Sequence, residues 1–266
     1  MQPQIEETVR QVMTNDVVKV QIGIRNSTSS KVTQHLTYCG SEEQKLATLR
    51  QQLQDGYKPP LLIFVQSKER AKQLFKELRF AGMNVESIHA DKKKEERDEI
   101  IKRFRVGQVW ILICTDLMSR GIDFKTVNEV LNYDFPQSLV SYIHRIGRTG
   151  RGGREGKATT YFTDDDKQFL RTIANVMHKS GQEVQDWMLK LPQCETREWK
   201  RVEKVPTVRK IITSRPKANV PKRFLKKVEK NMKKMDKFKI PATSQEFEAD
   251  PADTAADDDG FTVVTE

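Results

Sequence analysis

The sequence predicts an α/β fold in which helices sandwich a parallel sheet, followed by a basic then acidic, largely disordered C-terminal tail. Short apolar segments alternate with helical segments from residue 32 to about residue 180, an order typical of a parallel sheet covered on both faces. Residues 197–239 hold 17 Lys/Arg against 4 Asp/Glu. Residues 246–266 hold eight acidic residues and no basic ones, a composition that does not bury a core.

The first predicted strand alternates polar and apolar residues, whereas the strand at 61–66 is apolar, as expected of a strand buried on both faces. All six predicted strands are short. They cover residues 31–39, 61–66, 85–90, 109–115, 127–133 and 158–163. The predicted helices cover residues 41–54, 69–81, 94–106, 139–146 and 166–180, the first of them beginning with a capping box between Ser41 and Gln44. Ligands of such sheets bind beyond the carboxyl ends of the strands. The loops at those ends lie near 66–68, 89–94, 115–124 and 133–137, and an arginine cluster follows the last of them.

Composition excludes several classes of protein. The chain of 266 residues carries a net charge of +10 and a pI of about 9.4, which favours a polyanionic partner. Three cysteines and four histidines show no metal-ligand spacing, so we predict no metal site and reduced thiols in an intracellular protein. Because no apolar run approaches the roughly 18 residues of a membrane span, no membrane partner is predicted.

Hydrolytic chemistry is incomplete in this sequence. The phosphate-loop pattern G-x-x-x-x-G-K-[ST] is absent, and its nearest imitation, RGGREGKA (151–158), lacks the first glycine and the final hydroxyl. No nucleophile–His–acid arrangement is present. In contrast, YIHRIGRTGRGG (142–153) spaces three arginines three residues apart among glycines, a pattern that suits an anion approached closely by backbone.

Four segments in order resemble the motifs of the second RecA-like domain of DEAD-box RNA helicases. They are LLIFVQSKERA (61–71), HADKKKEERDEIIKRFRVG (89–107), ICTDLMSRGIDF (113–124) and YIHRIGRTGRGG (142–153). The resemblance covers about residues 32–180 and implies a RecA-like sheet. The first 23 residues are similar to the last helix and strand of the family's first domain, so the phosphate loop and the Asp-Glu-Ala-Asp box are expected upstream.

The predicted organisation follows from these assignments. Residues 1–23 are a remnant of the first RecA-like domain, 24–31 a linker, 32–193 the helicase C-terminal domain and 194–266 the basic/acidic tail. One helix and one strand at 5–13 and 17–23 cannot bury a core by themselves.

The resemblance implies an ATP site. Arg148 and Arg151 match the family's arginine fingers, while Asp123 matches the residue that accepts from the ribose hydroxyl and Gly121 lets the chain approach the nucleotide. ATP would bind with Mg²⁺, the metal being held mainly by the other domain. Two alternatives remain open: the arginines bind only RNA phosphates, or the loop charges are ordinary ion pairs.

The resemblance also implies RNA-backbone and coupling residues. The expected RNA contacts are Ser67, Lys68, Lys94, Arg97 and Thr115; the expected coupling residues are Asp116, Arg120, His144 and Arg145. Lys94 stands where the family has glutamine, and a solvated turn is the alternative for the lysines around it.

We therefore predict the C-terminal half of an ATP-dependent RNA helicase that is inactive without the other domain. The alternatives are a non-enzymatic RNA-binding or scaffold module and a DNA helicase of the same superfamily. The tail resembles those of nucleolar helicases of small-subunit ribosome assembly, which implies ribosomal precursor RNA and pre-ribosomal proteins as partners and a nuclear, nucleolar location. Its basic amphipathic segment, within residues 221–238, leaves three roles open: gripping RNA, nuclear targeting or simple solvation.

Overall fold

A computed structural model of the chain describes residues 3–13, 28–29, 31–116 and 127–214. The N-terminal helix α1, predicted over 5–13, runs over Pro3–Val12. The predicted strand over 17–23 and the predicted basic helix within 221–238 lie outside the described residues. Within the described residues, no helix is both long enough and apolar enough to cross a membrane.

Six parallel strands form the predicted sheet. They are β1 (Val32–Tyr38), β2 (Leu61–Phe64), β3 (Val85–Ile88), β4 (Ile111–Cys114), β5 (Glu129–Asn132) and β6 (Gly156–Phe162). Their order across the sheet is β1-β6-β5-β2-β4-β3, and every pairing is parallel. This arrangement confirms the α/β, RecA-like fold class.

Helices cover both faces of the sheet. They are α2 (Gln44–Asp55), α3 (Lys68–Phe80), α4 (Lys94–Arg105), α5 (Leu139–Ile146), α6 (Lys167–Lys179), α7 (Asp186–Leu189) and α8 (Thr196–Lys204), with a 3₁₀ turn at Asp164–Asp166 before α6. Successive residues of a strand point to opposite faces, so Leu61 and Ile63 pack with α2 and α3 while Leu62 and Phe64 pack with α4, α5 and α6. The two central strands, β5 and β2, are buried along their whole length, as is β4.

The predicted capping box at the start of α2 forms only in part. The helix begins at Gln44 rather than residue 41, and the Gln44 side chain accepts from the Ser41 backbone N–H at 3.1 Å. No side chain caps the helix in return. The other helix starts agree better, because Ser67 and Ser138 accept from the backbone N–H three residues on, at 3.3 and 3.1 Å.

The folded unit continues past the predicted start of the tail. We predicted the tail from residue 194, whereas α8 packs Trp199 edge-on against Phe169, with ring centroids 4.7 Å apart. The chain then runs without helix or strand to Ser214 and buries Ile212, which is 6% exposed, in the core next to α2 and α3. The sequence prediction missed Trp199 and Ile212 because they lie in a stretch rich in Lys and Arg.

Candidate functional site

The predicted RNA-contacting residues lie at the carboxyl end of the sheet. Ser67 and Lys68 follow β2, and Thr115, which is half-buried, directly follows β4. Lys94 and Arg97 lie in the first turn of α4, after β3. Lys94 is exposed and Arg97 is half-buried. All five residues therefore lie at the carboxyl ends of the strands, a surface that we call the carboxyl edge.

Ion pairs join the β3 loop to α3 at this edge. Lys68 Nζ donates to Asp91 Oδ1 at 2.8 Å, and Lys72 Nζ donates to Asp91 Oδ2 at 2.5 Å. These lysine hydrogen bonds lower the pKa of Asp91 to about 2. All three side chains are well exposed, so the pairs orient the loop more than they stabilise the fold.

Arg145 is buried and ties α5 to the end of β4. Its Nε and Nη2 donate to the two oxygens of Asp116 at 2.6 and 2.8 Å, and its Nη1 donates to the Asp134 carbonyl oxygen at 2.9 Å. The guanidinium lies 5.3 Å from the centroid of the Phe64 ring. Ser141 Oγ also donates to Asp116, at 2.9 Å. Arg145 is only 1% exposed, so its contacts are made within this domain.

The turn that carries Arg148 and Arg151 lies toward the amino ends of the strands, opposite the carboxyl edge. The Thr149 hydroxyl lies 2.8 and 2.9 Å from the carbonyl oxygens of Val127 and Asn128, just before β5. Because α5 runs back along the sheet for eight residues, or about 12 Å at 1.5 Å per residue, it moves the arginine cluster away from the loop that precedes it. Sequence order had placed the cluster after the carboxyl-end loops, and this displacement corrects that expectation.

Backbone contacts shape the arginine turn. Arg148 Nε donates to the His144 carbonyl oxygen at 3.3 Å, and Arg151 Nε donates to the Gly147 carbonyl oxygen at 2.7 Å. Arg148 is half-buried, whereas Arg151 and His144 are exposed. Two guanidinium groups three residues apart in one turn suit an anion with several charged oxygens.

Gly150 is the glycine that this turn requires. Its φ is +68°, and a Cβ there would lie 2.5 Å from Val32 Cγ2. Gly147, in contrast, has an ordinary φ of −67°.

We expect Gly150→Ala to destabilise the chain more than Gly107→Ala. Both glycines have positive φ, but an added Cβ at Gly107 meets nothing within 4 Å. The left-handed strain of about 1–2 kcal/mol is therefore common to both variants, and Gly150→Ala adds an overpacking cost of about 1–3 kcal/mol. Urea unfolding of both variants measures the difference; equal losses would contradict the close packing on Val32.

Three of the predicted site residues, Arg120, Gly121 and Asp123, lie outside the described residues. Among the residues that the structure does describe, no group of three or more His, Cys, Asp or Glu is placed to hold a metal ion. Sequence reasoning missed a buried cluster that joins Arg70, Asp134 and Arg209 near the carboxyl end of the sheet. The one local sign of this cluster is Asp134, which lies between Tyr133 and Phe135.

The chain matches proteins of one family. Residues 44–153 match the model described as the helicase conserved C-terminal domain. The Mus musculus protein described as probable ATP-dependent RNA helicase DDX52 is 48% identical over 226 residues, which are 85% of this chain and 38% of that protein. The Yarrowia lipolytica protein described as ATP-dependent RNA helicase ROK1 is 46% identical over 235 residues, 88% of this chain and 43% of that protein. The chain thus spans about two fifths of the length of these curated relatives.

Solved structures share the fold. Saccharomyces cerevisiae Dbp5, bound to RNA and ADP BeF3, aligns with a TM-score of 0.58 and 28% identity over 77% of this chain and 52% of that one. The C-terminal domain of the DEAD-box protein Dbp5 aligns with a TM-score of 0.51 and 32% identity over 66% of this chain and 97% of that one. Nearly all of that domain is therefore represented here. The chain belongs to the DEAD-box RNA helicase family and carries its C-terminal RecA-like domain.

Proposed function

We propose that this domain supplies the arginine fingers of an ATP-dependent RNA helicase and binds RNA backbone at its carboxyl edge. A first RecA-like domain would hold the phosphate loop, which the 266 residues lack, and most of the ligands of the Mg²⁺ that accompanies ATP. Closure of the two domains would complete the site, since neither half holds both the phosphate loop and the fingers.

The observation that carries this proposal is the position of α5 between two surfaces. Near the carboxyl edge, Arg145 grips Asp116, the residue after Thr115. In the turn just beyond the same helix, Arg148 is half-buried and Arg151 is exposed. Because α5 is one short rigid element, a shift of the loop at Thr115 on binding RNA moves the arginine turn. RNA occupancy and ATP hydrolysis would be coupled in this way.

Phosphoryl transfer explains the need for two arginines that solvent reaches. Hydrolysis of ATP spreads charge over the γ-phosphoryl oxygens, and a guanidinium from a second domain stabilises that charge. The solved Dbp5 complex with RNA and ADP BeF3 supports the assignment of both ligands to this fold.

The 266-residue chain should show no RNA-stimulated ATP hydrolysis by itself. Adding a purified first RecA-like domain from a relative, or expressing both domains in one polypeptide, should produce hydrolysis that depends on both RNA and Mg²⁺. Phosphate release under matched conditions is the measurement. Turnover by the chain alone would contradict the half-site proposal, and DNA stimulating as well as RNA would favour the DNA-helicase alternative.

We further propose ribosomal precursor RNA as the substrate and the nucleolus as the location. The support is the order of charge in residues 197–266, basic and then acidic, which resembles nucleolar helicases. Crosslinking of the full-length protein to RNA in cells, followed by sequencing, tests the substrate; reads drawn mainly from messenger RNA would contradict it. Imaging of the tagged protein tests the location.

A further inference from the structure

A segment beyond α8 is clamped onto the domain. We call residues 205–214 the strap. It contacts one face of α3 and the loop before it through side chains at 66, 70, 73 and 77, spaced four, three and four residues apart, which places them on one helical face. Gln66 Nε2 donates to the Thr207 carbonyl oxygen at 2.7 Å, Arg70 Nη1 to the Lys210 carbonyl oxygen at 2.6 Å, the Ile212 N–H to Gln73 Oε1 at 3.0 Å, and Ser214 Oγ to Glu77 Oε2 at 2.7 Å.

Arg209 is the centre of the strap's attachment. Its guanidinium contacts side chains from the loops after β1, β2, β5 and β6, all at the carboxyl end of the sheet. Nη1 donates to Glu42 Oε1 at 2.6 Å, Nη2 to Asp166 Oδ1 at 2.7 Å and Nε to Gln66 Oε1 at 3.0 Å, while Nε lies 3.9 Å from Asp134 Oδ1. One side chain of the strap therefore holds four loops together.

The charges around Arg209 balance only when the strap is in place. Three carboxylates and three cations form the buried cluster, and each side chain is at most 8% exposed: Glu42, Asp134, Asp166, Lys45, Arg70 and Arg209. Without Arg209, three buried carboxylates would face two cations. An uncompensated buried charge is strongly unfavourable, so the core of this domain is built to include the strap.

The carboxylate at the centre stays ionised. Burial alone would raise the pKa of Asp134, but the guanidinium groups of Arg70 and Arg209 hold that pKa well below its usual range. A depressed carboxylate pKa gives stability that is present above the unfolded-state pKa and is lost only in strong acid. Asp134 therefore keeps its negative charge, and its contacts with Arg70 and Arg209, across physiological pH.

Gln66 connects the strap to the expected RNA edge. Its backbone N–H donates to Asp134 Oδ2 at 2.8 Å, and its side chain contacts both Thr207 and Arg209. Ser67 and Lys68, the expected RNA contacts, are the next two residues. The Asp134 carbonyl oxygen also accepts from Arg145 of α5, so Arg209 of the strap and Arg145 both contact Asp134.

We propose that residues 205–214 are a positioning strap, in which Arg209 fixes the loops after β2 and β5 in the arrangement that RNA binding requires. The RNA part of this inference rests on the proposed function. Arg209 contacts neither RNA nor nucleotide in this account; it acts through Gln66 and Asp134.

Amide hydrogen exchange on the 266-residue chain tests the positioning. In Arg209→Met, exchange of residues 66–70 and 207–214 should accelerate on the order of tenfold or more, because local opening no longer breaks an ionic clamp. Strands β1 and β6 should keep their protection. Lys210→Met is the matched control: the Lys210 side chain is 64% exposed and its Nζ lies 3.5 Å from Glu43 Oε1, so exchange should not change.

Each outcome of this experiment is decisive. Unchanged exchange at 66–70 overturns the positioning role, and uniform acceleration across the sheet shows that Arg209 serves global stability only. If Arg209→Met fails to fold, Arg209→Lys retains the charge but not the fork, and it must show the same local pattern at smaller amplitude.

Catalysis by the two-domain protein tests the link to RNA. Arg209→Lys should raise the RNA concentration for half-maximal ATPase by roughly tenfold while the rate at saturating RNA stays near wild type, the signature of lost binding alone. A fall in the saturating rate with unchanged RNA dependence overturns that link. The exchange experiment uses no ligand, so it stands or fails separately from the proposed helicase function.

Discussion

Replacing Arg148 with alanine in the two-domain protein is expected to lower RNA-stimulated ATP hydrolysis by a factor of roughly 10³–10⁵. Arg148 lies in the turn after α5, where Gly150 packs on Val32 and the Thr149 hydroxyl contacts the Val127 carbonyl oxygen. Truncation should therefore remove a cation without moving the backbone. RNA affinity should stay close to wild type, because the expected RNA contacts lie at the other edge of the sheet. Steady-state ATPase rates and RNA-binding titrations at one salt concentration measure the two quantities.

Arg154→Ala is the matched control for this experiment. Arg154 is exposed and lies three residues beyond Arg151, so it carries the same charge in the same loop. Its loss should change ATPase rates little. If Arg148→Ala and Arg154→Ala behaved alike, general positive charge would explain the effect. If Arg148→Ala instead abolished RNA binding and ATPase together, the arginine would be contacting RNA phosphate.

The strands and the arginine helix were predictable because local patterns determine them. Alternating or apolar segments predicted the strands of the described sheet, with ends within a few residues, and the predicted bounds of α5, 139–146, match the structure. Ser138 ends the loop before α5 with a side-chain cap. Such local preferences agree with the tertiary structure here, which is why they were sufficient.

The position of the arginine turn follows from the predicted helix, whereas the contacts of the strap had no local basis. The helix predicted over 139–146 returns the arginines from the β5 loop toward the amino ends of the strands, a consequence that sequence order alone does not show. Arg209 meets Glu42, Gln66 and Asp166 across 167, 143 and 43 residues of chain. No sequence period reports pairs at those separations, and a single arginine among many in a basic stretch does not stand out.

Replacing Arg145 with methionine should cost the folded chain about 3 kcal/mol, near the lower end of the range for breaking a buried pair. The lower end is expected because Asp116 keeps 29% exposure and can be hydrated, whereas the Asp134 carbonyl oxygen loses its buried donor. Methionine keeps an apolar stem of similar length but loses the contact between the guanidinium and the Phe64 ring, which adds to the loss. Guanidinium chloride unfolding of the 266-residue chain measures the difference.

Arg103→Met is the matched control for Arg145→Met. Arg103 also pairs with a carboxylate, Glu86 at 3.3 Å, but the two side chains are 40% and 21% exposed. A pair in that setting is worth between zero and about 1 kcal/mol. Arg145→Lys should fall between the two variants, since an ammonium cannot donate in the fork that Asp116 accepts. Equal losses for Arg145→Met and Arg103→Met would mean that burial does not strengthen the contacts of Arg145. The proposed coupling through α5, between the expected RNA contacts and the arginine turn, would then lose its support.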